Sequence, residues 1–205
     1  VTVTVKNVVS DAGAIMGHAG ITGDIVRLMR VLVGSRPGGL AAVTVLSCMF
    51  FAAISGSGPG TVAAVGTIMI PAMAQHGYDK DFSAAVSASG GTLGILIPPS
   101  NPMIIYGVLA SVSIGDMFVA GIVPGLLMGG LLMLTAVIIS RRRGYRSETS
   151  VLEGETVQRA LTDGFFSLLT PFVILGGIYL GIFTPVEAAV AAIVYALFVG
   201  VVIKR

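Results

Sequence analysis

The sequence predicts an all-α polytopic membrane protein with one re-entrant helical hairpin and one broken transmembrane helix. Its 205 residues are 55% hydrophobic and 11% charged, with a mean hydropathy of +0.96, where an ordinary soluble domain is about 25% charged. Several apolar runs approach the roughly 20 residues that cross a bilayer. Two others are cut near their middle by Gly/Ser/Pro clusters, at residues 55–60 and 90–101.

Composition also excludes function classes. The formal charge of +2 is not gathered into the basic face that nucleic-acid binding needs. The single cysteine, Cys48, has no disulfide partner within the chain and lies in an apolar run, where it reads as packing. No intramembrane carboxylate pair, His cluster or Cys/His couple suggests an enzyme. The chain opens on Val1 without a signal peptide and stops at Lys204 and Arg205 after an apolar run, which suggests a fragment.

The N-terminal segment, residues 1–39, holds a Val/Thr alternation that fits no helix and has no partner strand. Behind it, Ile21, Ile25, Leu28 and Leu32 take helical spacing among Asp24, Arg27 and Arg30, which predicts a helix at or near the interface. Residues 40–54 and 61–74 are apolar but too short to span comfortably. Two half-length helices around Ser55-Gly56-Ser57-Gly58-Pro59-Gly60 predict a hairpin that enters and leaves on one side. A single kinked crossing would not survive so many helix breakers in succession.

Residues 82–97 form another half-length helix, stopped at Pro98-Pro99-Ser100-Asn101-Pro102, and residues 103–113 supply the second half. Hairpin and broken helix together make a unit over residues 40–116. A transmembrane helix follows at 117–140, a polar connection at 141–164, and two further helices within 165–205. Arg141, Arg142, Arg143 and Arg146 mark the cytoplasmic face. With a hairpin, Arg36 and Lys80 share that face, and every Lys and Arg after Gly20 then falls on one side. A single crossing would separate Arg36 from Lys80.

Non-helical backbone at membrane depth survives only when buried in protein or lining a wet cavity. Helix ends offer free amides to anions and free carbonyls to cations such as Na⁺. In the first break, Gly56, Gly58 and Gly60 let backbone approach a ligand, and Ser55, Ser57 and Thr61 add neutral oxygens suited to a hard cation. The second offers the same kit in Gly91, Thr92, Gly94, Pro98, Pro99, Ser100 and Asn101. The two tips are expected to meet at the midplane. Elsewhere simpler readings suffice: Gly66, Gly107, Gly121, Gly125 and Gly129 for close helix packing, Glu187 as a helix cap, His18 and His76 at the surface, and Asp79 to Asp81 as a solvated loop. Two different breaks in one chain favour a carrier over a channel, which usually needs one filter per chain. A channel-like protein, or a permease working without a binding protein, remains the alternative.

The Ser-Gly-Ser tip, Ile70-Pro71 with Gly77-Tyr78, the run from Gly90 through Leu93-Gly94-Ile95-Leu96-Ile97-Pro98-Pro99-Ser100, Ala120-Gly121-Ile122-Val123-Pro124-Gly125, and Thr184-Pro185-Val186-Glu187-Ala188 together resemble the DctM-like large membrane subunit of tripartite ATP-independent periplasmic (TRAP) transporters. The resemblance implies an elevator-type symporter of the ion transporter superfamily kind in the bacterial inner membrane. It would be driven by sodium and import an organic acid such as a C4-dicarboxylate or sialic acid. Its partners would be a periplasmic solute-binding protein and a small membrane subunit, with no cofactor beyond the coupling Na⁺. Carried over by motif, Ser55, Ser57, Gly91, Thr92 and Gly94 would hold Na⁺, partly through backbone carbonyls. Gly56, Gly58, Thr61, Pro98, Pro99, Ser100 and Asn101 would face substrate. Family members carry a second hairpin and broken helix after the Thr-Pro-x-Glu-Ala helix, so half of the expected site is present. Pro59 departs from the expected tip.

Single cysteines test the layout. Arg36→Cys and Lys80→Cys should react with an impermeant thiol reagent from one face of the membrane and Ile114→Cys from the other. Labelling of 36 and 80 from opposite faces would remove the hairpin.

Overall fold

The computed structural model describes residues 20–145 and 157–200, and among the described residues every regular element is helical. The Val/Thr alternation, His18, Arg146, Lys204 and Arg205 lie outside them. α1, Ile21–Met29, continues through a π-helical turn, Arg30–Gly34. It buries Ile21, Ile25 and Leu28, one helical stripe, and packs against α7 (Val157–Tyr179) and α2 (Gly39–Ser55). Asp24, expected to keep this helix near the interface, accepts a hydrogen bond from Ser167 of α7.

α2 is the hub. Its 17 residues are apolar on every side, and Leu40, Val43, Cys48 and Phe51 are fully buried. At 1.5 Å per residue it rises about 25 Å, short of a hydrocarbon core of about 30 Å. Gly56 and Ser57 then turn the chain into α3, Gly58–Gln75. The non-helical tip is thus narrower than the cluster at 55–60 suggests. Ser57 caps α3 by accepting from Gly60 N at 3.3 Å, and Pro59 sits exposed in the first turn, where a missing N–H costs nothing. Pro59 therefore fits the tip.

α4 (Lys80–Gly91) ends earlier than its apolar run, tightening into a 3₁₀ turn at Thr92–Ile95 before the irregular residues 96–100 and α5 (Asn101–Ala110). After a left-handed Ser111, α6 runs from Ile114 to Arg142. Among the described residues it is the one helix long and apolar enough to cross a membrane alone. Val123 is 71% exposed and Leu127 63%, a flank suited to hydrocarbon or further helices. Its inner flank carries Gly121, Gly125 and Gly129, where an added Cβ would come within 2.7 Å of Met103 Cε, 2.8 Å of Ile97 Cγ1 and 2.5 Å of Met49 Sδ. Close packing was the role expected of these glycines. α8, Pro185–Phe198, opens on a capping box in which Thr184 and Glu187 serve each other's backbone amides, the capping expected of Glu187.

Both feet of the α2–α3 hairpin lie at the C-terminal end of α6. At one foot a Cβ on Gly38 would touch Ser140 at 3.1 Å, and Arg141 Nε donates to Pro37 O at 3.3 Å. At the other, Tyr78 stacks on Tyr145 with centroids 4.3 Å apart, and Asp79 accepts from Arg143 (3.0 Å) and the Tyr145 hydroxyl (2.6 Å). Asp79 stays solvent-exposed, as expected of this loop, while making these two contacts.

Gly125→Leu should lower the melting temperature of the complete protein in detergent, because overpacking costs about 1 to 3 kcal/mol. Gly130→Leu, on the same helix with nothing within 4 Å of its Cβ position, should leave it within error.

Candidate functional site

The helix breaks meet. Asn101, which opens α5, donates its backbone N–H to Gly56 O at 3.1 Å, and a Cβ on Gly56 would fall 2.5 Å from Pro99 O. Gly56 also holds φ +58°, so glycine is required there by conformation and by space. On the other side of the tip, the Cα of Gly94 approaches so closely that a Cβ would lie 2.6 Å from Ser57 O and 2.7 Å from Thr61 Oγ1, and one on Gly58 would lie 3.0 Å from Gly91 O. One break is seated in the other.

This contact gathers uncharged oxygens. Ser55 Oγ and Thr61 Oγ1 are 3.0 Å apart, and Thr61 Oγ1 donates to Ser57 O at 2.8 Å. Ser55 and Thr61 are fully buried. The second break adds the carbonyl of Gly91 beside Gly58, and Asn101 Oδ1, which is buried without a protein partner. Such a buried acceptor costs roughly 1 to 3 kcal/mol unless something donates to it or coordinates it. Ser100, fully buried, gives its hydroxyl to Ile95 O at 2.6 Å and so holds the irregular segment against its own 3₁₀ turn.

The predicted residues are placed differently. Ser55, Ser57 and Thr61 come together as the oxygen cluster with Gly94 packed on it, Gly91 lies against Gly58, and Gly56, Pro99 and Asn101 form the seam beside them. Ser100 and Pro98 are buried behind that seam. Thr92 stands apart: its side chain is exposed and donates to Ser89 O at 2.7 Å, back along its own helix. Residues 55–61 and 90–101 contain no Asp, Glu, Lys, Arg or His. Carbonyl and hydroxyl oxygens are the donor type that hard cations take.

Cys48 packs as expected, fully buried, and the sequence leaves unnamed its partner, Gly90, whose added Cβ would lie 2.8 Å from the sulfur. Also unnamed there is Val62, which closes off Gly91. Neither contact has a local signal, since both join residues far apart in the chain.

A helical bundle this apolar, with two breaks paired at a buried polar seam, is consistent with a membrane protein. The chain belongs to the TRAP transporter large permease family. The family model described as "Tripartite ATP-independent periplasmic transporter, DctM component" matches residues 11–205. The chain is 47% identical, over 95% of its length and 31% of the relative's, to the isethionate TRAP transporter permease protein DctMQ of Oleidesulfovibrio alaskensis. It is 44% identical to the C4-dicarboxylate TRAP transporter large permease protein DctM of Vibrio cholerae, covering 95% of this chain and 43% of that one. It is 39% identical to the sialic acid TRAP transporter large permease protein SiaM of the same organism, covering 93% and 44%. The chain thus spans less than half the length of these relatives. All three are named as permeases rather than enzymes.

Gly56→Ala should cost at least about 1 to 2 kcal/mol from the left-handed backbone alone, read as a lower melting temperature of the complete protein. Gly60→Ala, with negative φ and only Ser57 at 3.4 Å, should melt unchanged or slightly higher.

Proposed function

We propose that this chain forms part of a Na⁺-coupled secondary transporter of the bacterial inner membrane. It imports an organic acid, such as a C4-dicarboxylate or a sialic acid, delivered by a periplasmic binding protein, and it works with a small membrane subunit. The observation that carries the reading is the seating of Gly56 against Pro99 and of Gly94 against Ser57, which leaves Ser55, Ser57 and Thr61 around one polar locus.

In this reading the hairpin is re-entrant, its two feet at the cytoplasmic face with Arg141 and its tip at membrane depth. Na⁺ binds to the Ser57 and Gly91 carbonyls and the Ser55 and Thr61 hydroxyls. Gly94 gives the backbone access, and Thr92 contributes through its carbonyl. With cation in place, the N-terminal ends of α3 and α5 face the carboxylate of the solute, where their amides and positive dipole ends stabilise negative charge. Gly56, Gly58, Pro98, Pro99, Ser100 and Asn101 shape that side. Residues 40–116 then move as one body past the helix at 117–140, an elevator movement. A carrier is preferred to a channel because two different breaks, not one repeated filter, form the locus.

Uptake by the complete transporter with its binding protein should vanish when Na⁺ is replaced by choline. Thr61→Val should raise the half-saturating Na⁺ concentration about tenfold, one charge-assisted contact being worth roughly 1.5 kcal/mol, while the protein inserts normally. Uptake unaffected by choline would sink the cation assignment, and an unchanged Na⁺ dependence in Thr61→Val would move the site elsewhere.

A further inference from the structure

The end of α6 that holds the hairpin feet also carries two cavities that neither the break contact nor its chemistry uses. One, of about 530 Å³, lies at the foot and is rimmed by the charged side chains of Asp79, Lys80, Asp81 and Arg143. The other, of about 170 Å³, is an apolar crevice that runs between α4 and α6, with Val86 and Ser89 on one wall and Leu132, Thr135 and Ile139 on the other. Phe82 and Ala85 line both, so the charged mouth and the apolar crevice adjoin across these two side chains. The crevice exists because α4 presents small residues, Ala85 and Ser89, opposite the bulkier Leu132 and Ile139. From Leu132 to Ile139 it covers two turns of α6, about 10 Å along the axis.

We propose that these adjoining cavities together bind a membrane phospholipid whose head group carries both a phosphate and a primary ammonium. The charges argue for that head. Arg143 is engaged at 3.0 Å by Asp79, which also receives the Tyr145 hydroxyl, and its guanidinium lies 5.4 Å over the Phe82 ring. Lys80 and Asp81 are the further charges of the mouth, one of each sign, both exposed. Lys80, with the outer face of Arg143, suits a phosphate; Asp81 suits an ammonium that can donate hydrogen bonds. The crevice below, with apolar walls, takes the first stretch of an acyl chain and removes that apolar surface from the gap between α4 and α6. The assignment rests on the membrane reading, with these feet at the head-group level of the bilayer.

The test is photolabelling of the complete transporter in proteoliposomes with a phosphatidylethanolamine bearing a diazirine on its acyl chain, followed by peptide mapping. Labelling over residues 82–89 and 132–139 should exceed that over the exposed face at 119–127. Lys80→Gln, which leaves the Asp79–Arg143 pair intact, should reduce it about threefold to fivefold, the effect of one exposed ion pair worth up to about 1 kcal/mol. Ala85→Leu, or Thr135→Leu from the opposite wall, should abolish the excess by filling the crevice, with melting temperature checked for each. Unlabelled phosphatidylethanolamine should compete better than phosphatidylglycerol, which lacks the ammonium. Labelling of 82–89 no greater than that of 119–127, no response to the variants, or equal competition by the two lipids would overturn the proposal. Absence of label anywhere on the chain would instead overturn the membrane reading beneath it.

Discussion

An unwound stretch of backbone buried in protein must find its hydrogen-bond partners there, and the two breaks meet through one such bond, from Asn101 N to Gly56 O. Much of the remaining architecture follows from letting these two segments touch. Gly56 is left-handed because the turn is tight, and it lacks a side chain because Pro99 O occupies that space. Gly94 is bare for the same reason toward Ser57 and Thr61. α2 must then be apolar all round, since α1, α3, α4, α6 and the 3₁₀ turn close over it. A charge in either tip would add several kcal/mol of desolvation, which explains why only neutral oxygens line the seam.

Much of this was legible in the sequence because breakers in hydrocarbon are expensive and so are informative. The Gly/Ser/Pro clusters marked both breaks, and the positions of Arg36 and Lys80 required the hairpin feet to share an end, where Pro37 and Asp79 indeed meet Arg141 and Arg143. The Thr184 and Glu187 cap could be read from a four-residue motif. Extents were less legible. Helix resumes at Gly58 because Ser57 can cap and Pro59 is harmless in a first turn, and α4 yields to a 3₁₀ turn at Thr92 although its apolar run continues to Ile97. Local composition names the breakers, while the tertiary partner decides how many residues unwind.

Long-range pairings were the least legible. Nothing near Asp24 predicts Ser167, and nothing near Asp79 predicts Tyr145, 66 residues away. A loop written Asp-Lys-Asp reads as solvated, and it is, but nothing in it announces the Arg143 and Tyr145 contacts that the fold brings to Asp79. Thr92 illustrates the same limit inside the candidate site: its hydroxyl satisfies Ser89 O, a choice between two nearby acceptors that spacing alone does not make.

The kinds of contact also differ by location. Within the hairpin and broken helix they are buried and directional: the Ser55 and Thr61 hydroxyls at 3.0 Å, Ser100 on Ile95, Asn101 on Gly56. Across the boundary to α6 they are apolar at Gly121, Gly125 and Gly129, and at the foot they are solvent-exposed, with the Arg143 and Asp79 side chains 51% and 64% accessible. An exposed pair contributes about 0 to 1 kcal/mol, and side chains lying on a glycine stripe resist sliding less than hydrogen bonds do. In the proposed mechanism, a unit whose breaks are joined by a buried backbone bond and whose boundary with α6 is apolar or solvent-exposed would shift at that boundary before it opens at its seam. That ordering supports the proposed movement of residues 40–116 as one body. It would also carry the paired breaks, with whatever they hold, from one side of the membrane to the other without unseating them.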